Sequence, residues 1–181
     1  LQHMETLCRL DDFSLAMVEQ PIAADDMVGN AMVQETIRTP VSLDESITTP
    51  AQAEMALDLQ AAKFVNVRPG RVGGLTSAVA IHDACHNACV PCYLGATPQS
   101  SIGTRAGIAL AAKANFTYPA DWIEPQNLFE QDLAPALQAV RDESDGLVRV
   151  PLWSEPGIGV EPDMNVLKKY CLAEARIMPD D

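Results

Sequence analysis

A chain of 181 residues, 48% of them hydrophobic, is long enough for one well-buried core and too apolar for a disordered segment. Twelve basic against twenty-five acidic residues leave a formal charge of −13, which argues against nucleic acid or an anionic membrane surface as partner, because phosphate binding rests on Lys and Arg. No apolar run reaches spanning length, and an odd five cysteines do not suggest a disulfide framework, so the expected compartment is the reducing cytoplasm.

The first residue is Leu1 rather than Met, and the expectation is a piece of something longer. Residues 1–13 read as the end of a helix, with Leu7, Leu10 and Phe13 three apart. The run LAMVEQP, closed by Pro21, predicts a buried strand with Glu19 at its end. Asp25 and Asp26 cap a helix through about Arg38, with their charge at its N-terminal turn, and Pro40 stops it. VSLDES repeats the arrangement with Asp44 where the apolar run ends, and Thr48, Thr49 and Pro50 open a helix to Gln60.

KFVNVRPGRVGGL then predicts a strand over 64–67 and a glycine-rich turn into a helix over about 74–88. Strand alternation sends Asn66 and Arg68 one way and Val65 and Val67 the other. VPCYLGA reads as strand, 102–114 as helix, FTYP as strand and 130–143 as helix. Strand and helix alternate five times on short connections, the pattern of βα units in a right-handed parallel sheet. After Gly146 the rhythm breaks: LVRVPLWSEPGIGVEPD alternates like a strand, and LKKYCLAEARI is a last helix or an extended tail.

Three successive strands end in Glu19, Asp44 and Arg68, each at the final inward position of an apolar run. Carboxylates converging from neighbouring strand ends suit a hard cation, which takes oxygen ligands; the alternative is ordinary turn and cap residues. Other signals compete. Cys85, Cys89 and Cys92 have the CxxxCxxC spacing of a radical iron–sulfur loop, although two of them fall on a helix and the third in the next strand, as packing cysteines would. His82 and His86 are spaced like a zinc pair, without a third ligand. Arg71 with Gly70, Gly73 and Gly74 reads as a phosphate cradle or, alternatively, as a tight turn with Arg71 available for charge pairing.

Taken in order, VEQP, SLDES, VNVRPGRVGGL and PGIGV resemble the carboxyl-terminal half of the enolase superfamily barrel over about residues 10–163. The likeness is to the muconate-lactonising branch that contains o-succinylbenzoate synthases and N-acylamino acid racemases. It implies an α/β fold, an incomplete parallel (β/α) TIM-type barrel of about five βα units. Residues 1–145 would form the partial barrel, and 146–181 an extension returning toward a capping domain absent from this chain.

The same resemblance implies Mg²⁺ bound by Glu19 and Asp44 with a further acid upstream. It also implies proton abstraction α to the carboxylate of a small-molecule substrate, in racemase or epimerase, dehydratase or cycloisomerase chemistry. Arg68 stands at the position of the family's catalytic lysine. Guanidinium holds its proton with a pKa above about 12, so Arg68 is expected to grip an anionic substrate group, in an activity that has diverged, run by an upstream lysine alone, or has been lost. Gln99 stands where the branch commonly has Glu, and with Asn66 and Ser100 it is an expected substrate contact. Open strand edges imply either a homo-oligomer or a missing N-terminal half. The alternative of another class is a non-catalytic half-barrel that binds a small carboxylate or a partner chain.

Overall fold

The structure, a computed structural model, describes residues 3–124 and 128–175. The chain divides into two units, one of residues 1–97 with 107–123 and one of residues 98–106 with 124–181. The first opens with α1 (Met4–Cys8) and a 3₁₀ turn over Arg9–Phe13. Then β1 (Val18–Glu19), α2 (Met27–Thr36), β2 (Val41–Leu43), α3 (Pro50–Asp58), β3 (Phe64–Val67), α4 (Leu75–Asn87) and β4 (Cys92–Leu94) alternate as the sequence predicts. The strands form one parallel sheet in the order β1-β2-β3-β4. The cap residues start the helices as expected: Asp26 Oδ1 accepts from Gly29 N–H at 2.7 Å, and Thr49 Oγ1 from Gln52 N–H at 3.2 Å.

The sheet has two chemically different faces, and strand alternation explains why. Val41, Leu43, Val65, Val67 and Cys92 are fully buried, in one core with Val33, Ala53, Ala56, Ala78 and Ile81 from the helices. The intervening residues are polar. Register sets Glu19 beside Ser42 and Asn66 beside Tyr93, and these side chains bond one another across the strands. Asn66 and Arg68 thus lie opposite Val65 and Val67, as alternation requires. Between β3 and α4 the chain turns through Gly73 at φ 86° and Gly74 at φ 111°, conformations that a side chain would strain.

Two expected elements differ. FTYP contributes one parallel bridge, Phe116 to Cys92, instead of a strand; Pro119 ends the run, and Tyr118 packs edge-on against Phe64 and Tyr93. The helix expected over 130–143 does not form. Pro135 interrupts it, and Val140–Arg141 is instead β5, paired antiparallel with β6 (Val148–Arg149).

That hairpin belongs to the second unit, which also holds the start of α5 (Ser101–Ala111) and α6 (Met164–Tyr170). Asp132 accepts from the N–H and hydroxyl of Ser101 at 2.9 and 2.5 Å, while Arg105 lies over the Trp153 ring at 5.1 Å. LKKYCLAEARI is helical only to Tyr170, and its last two residues lie outside the described ones. Among the described residues no helix is long and apolar enough to cross a membrane.

Leu43 is fully buried in the core between the sheet and its helices. Leu43→Ala is expected to cost about 2–5 kcal/mol, read as a fall in the urea midpoint of the natural protein at unchanged m-value.

Candidate active site

At the carboxyl end of the sheet, β1, β2 and β3 deliver Glu19, Asp44 and Arg68 to one place. Asp44 follows the last residue of β2, and its side chain is 2% exposed. A charge so buried requires partners. Arg68 Nη2 donates to its Oδ2 at 2.5 Å, Arg71 Nη1 donates to Oδ1, and Arg71 Nη2 reaches Oδ2 at 3.3 Å. Arg68 Nη1 is anchored on the Ala96 carbonyl at 2.9 Å. Glu19 is looser: its side chain is 40% exposed, Oε1 accepts from Asn66 Nδ2 at 2.8 Å, and Arg68 Nη2 is 3.9 Å from the same oxygen.

Glu19, Asp44 and Arg68 line an open cleft of about 500 Å³ whose other lining residues are Gln20, Ala24 and Glu45. Tyr93 shares a hydrogen bond with Ser42 at 3.0 Å, and burial pushes its hydroxyl pKa above the ordinary range, keeping it neutral. Glu19 and Asp44 present oxygen donors from adjacent strands, a donor type that fits Mg²⁺. Asn66 Oδ1 is also buried and has no hydrogen-bond partner among the described residues.

Two contributors, Gln20 and Gly95, were not expected from the sequence. Gln20 adopts the left-handed region at φ 41°. Its Oε1 accepts from the N–H groups of Asp44 and Ser46, both at 3.1 Å, and its Nε2 donates to Ser46 Oγ at 2.9 Å and the Ile22 carbonyl at 3.1 Å. It therefore clamps the loop that carries Asp44; the one clue was a long polar side chain between the strand-end acid and Pro21. Gly95 leaves room for the site, since a Cβ there would collide with Asn66 Oδ1 and lie 2.7 Å from Arg68 Nε. Arg71, read as a phosphate cradle or a pairing charge, does the second.

Gln99 and Ser100 belong to the second unit, where the Gln99 side chain lies over the first turn of α5 and the Ser100 carbonyl accepts from Thr104 N–H at 3.0 Å. Cys85 and Cys92 are buried partners, and their hydrogen bond together with burial pushes the Cys92 thiol pKa up, while Cys89 is exposed. His82 is buried, bonded through Nδ1 to Asp83 at 2.7 Å and accepting at Nε2 from Asn115 N–H at 3.1 Å. Both nitrogens are engaged, which removes the zinc reading. Among the described residues no three His, Cys, Asp or Glu side chains come together as a ligand set, and the three cysteines of the CxxxCxxC run are divided between core and surface.

Parallel strand–helix units that bring acids and a cation to successive strand ends define a segment of a (β/α) barrel carrying its functional face. The chain belongs to the enolase superfamily: residues 1–166 match the family described as Enolase C-terminal domain-like. It is 38% identical over 170 residues to o-succinylbenzoate synthase from Geobacillus kaustophilus, covering 94% of this chain and 44% of that protein. It is 36% identical over 171 residues to N-succinylamino acid racemase from an Amycolatopsis species, covering 94% and 45%. Among solved structures, an enolase-superfamily member from Listeria innocua superposes with a TM-score of 0.80 at 32% identity, covering 93% of this chain and 44% of that one. The chain thus spans less than half the length of the relatives it matches.

Gln20→Ala would strip two backbone N–H groups of their acceptor and leave the Ser46 hydroxyl with the Ala24 carbonyl alone. The expected cost is about 1–3 kcal/mol, with broadened amide resonances confined to residues 44–46 in NMR spectra. Gly95→Ala should destabilise by a similar amount through overpacking, checked by thermal unfolding.

Proposed function

We propose that the complete protein is a Mg²⁺-assisted enzyme acting on a small carboxylate by α-proton transfer, of the racemase or epimerase, dehydratase or cycloisomerase type. The observation that carries this reading is the convergence of Glu19 and Asp44 on adjacent strand ends in a cleft, in a chain similar to an o-succinylbenzoate synthase and an N-succinylamino acid racemase. Glu19 and Asp44 would hold the metal, with a further ligand from outside the described residues. Bound there, Mg²⁺ would supply electrophilic stabilisation of the charge that develops on the substrate carboxylate.

The roles of this chain's own residues follow from their chemistry. Arg68 cannot serve as base, because guanidinium stays protonated. It orients an anionic group by its planar fork, and the base is a lysine contributed from elsewhere in the protein. Asn66 holds Glu19 in place, and Gln20 holds the loop of Asp44. Gln99 and Ser100 remain proposed substrate contacts.

Engagement of Arg68 by Asp44 also favours a second reading, a non-catalytic barrel that binds a small carboxylate. Deuterium exchange separates the two. With N-succinylamino acids in D₂O and Mg²⁺, the natural protein is expected to exchange the substrate α-proton slowly, and Arg68→Lys to raise the rate about 10²-fold, by restoring a general base. Ligand binding without exchange in either form would establish the binder instead.

A further inference from the structure

Arg68 does more than replace a base. Its Nη2 lies 2.5 Å from Asp44 Oδ2 and 3.9 Å from Glu19 Oε1, so one charged nitrogen already stands between the two carboxylates. The guanidinium is built into that place. Nη1 is tied to the Ala96 carbonyl at 2.9 Å, the backbone carbonyl of Arg68 accepts from the N–H groups of Arg71 and Val72, and the missing Cβ of Gly95 makes room for Nε. Two carboxylates and two guanidiniums make the cluster formally neutral, with Glu45 at the rim of the cleft.

We propose that Arg68 is an internal counter-cation for the Glu19–Asp44 pair, one that a divalent cation must displace before it can bind, so that Arg68 sets the metal affinity of the site. The inference rests on the metal reading given above. A cation approaching Glu19 and Asp44 meets an oxygen already engaged in a charge-assisted hydrogen bond and a like charge beside it. Arg71 does not compete in the same way: its contacts are with Asp44 alone among the two acids, and it keeps that buried carboxylate paired when Arg68 leaves. Removing the Arg68 charge should therefore strengthen metal binding while leaving Asp44 with a partner. A residue that merely held the loop together would weaken binding when removed.

The test is calorimetric titration of Mg²⁺ into the complete protein, as the natural form and as Arg68→Met, Arg68→Gln and Glu19→Gln, with each fold checked by circular dichroism. Manganese electron paramagnetic resonance gives a second, activity-independent readout of bound ion. The expected result is Mg²⁺ affinity at least tenfold tighter in both Arg68 variants, about 1.4 kcal/mol, and lost in Glu19→Gln. Equal affinity within twofold in the natural form and both Arg68 variants would overturn the counter-cation while leaving the metal reading standing. Folded Arg68 variants that give no Mg²⁺ heat at millimolar concentration and no bound manganese signal would overturn both.

Discussion

The carboxylate of Asp44 is 2% exposed, and that burial constrains the rest of the site. An unpaired charge at such a depth costs several kcal/mol, so every loop around it is shaped to supply a partner. The strand β3 has to end in register with β2 for Arg68 to reach Oδ2. The chain then has to turn back sharply, with Arg71 N–H donating to the Arg68 carbonyl at 3.0 Å, for the second guanidinium to reach Oδ1. The loop after β1 closes the arrangement from the other side through Gln20. Three connections that are distant in sequence are thereby tied together at a single residue.

The sheet beneath makes this possible because its two faces are built for different purposes. Toward the helices it presents Val41, Leu43, Val65 and Val67, all fully buried, and their burial supplies the hydrophobic stabilisation. On its other face it presents Ser42, Asn66 and Tyr93, which stabilise little by area: Ser42 and Tyr93 share a hydrogen bond, and Asn66 holds Glu19 in place. Substitutions on the first face act through stability, and substitutions on the second act through geometry. The strands are only two to four residues long, so a shift of one residue would exchange the faces and abolish both functions.

Much of this was legible in the sequence because it depends on local rules. Period-two alternation around Asn66 and Arg68, the Asp26 and Thr49 caps, and the glycines after β3 each act within a few residues, and the elements formed where those rules place them. Glu19, Asp44 and Arg68 could be brought together because parallel strands end on the same side. What escaped depends on contacts between distant segments. Gln20 is unremarkable until the loop 24 residues away is seen to donate to it, and Gly95 matters only through side chains of the neighbouring strand. The helix expected over 130–143 fails for the opposite reason: Pro135, a local veto, stands inside it.

One side chain carries the difference between this site and the arrangement its motifs suggest. A lysine at position 68 would place a single compact ammonium at the strand end, free to rotate and able to lose its proton when desolvated. Arginine there acts as a rigid fork. One arm holds the Ala96 carbonyl, the other holds Asp44, and the planar geometry extends the charge to within 3.9 Å of Glu19. Arginine at this place is suited to fixing negative charge rather than to moving a proton. Gly95 leaves the space in which its Nε lies, so the fork is held where charge pairing with Asp44 is the chemistry this side chain supplies.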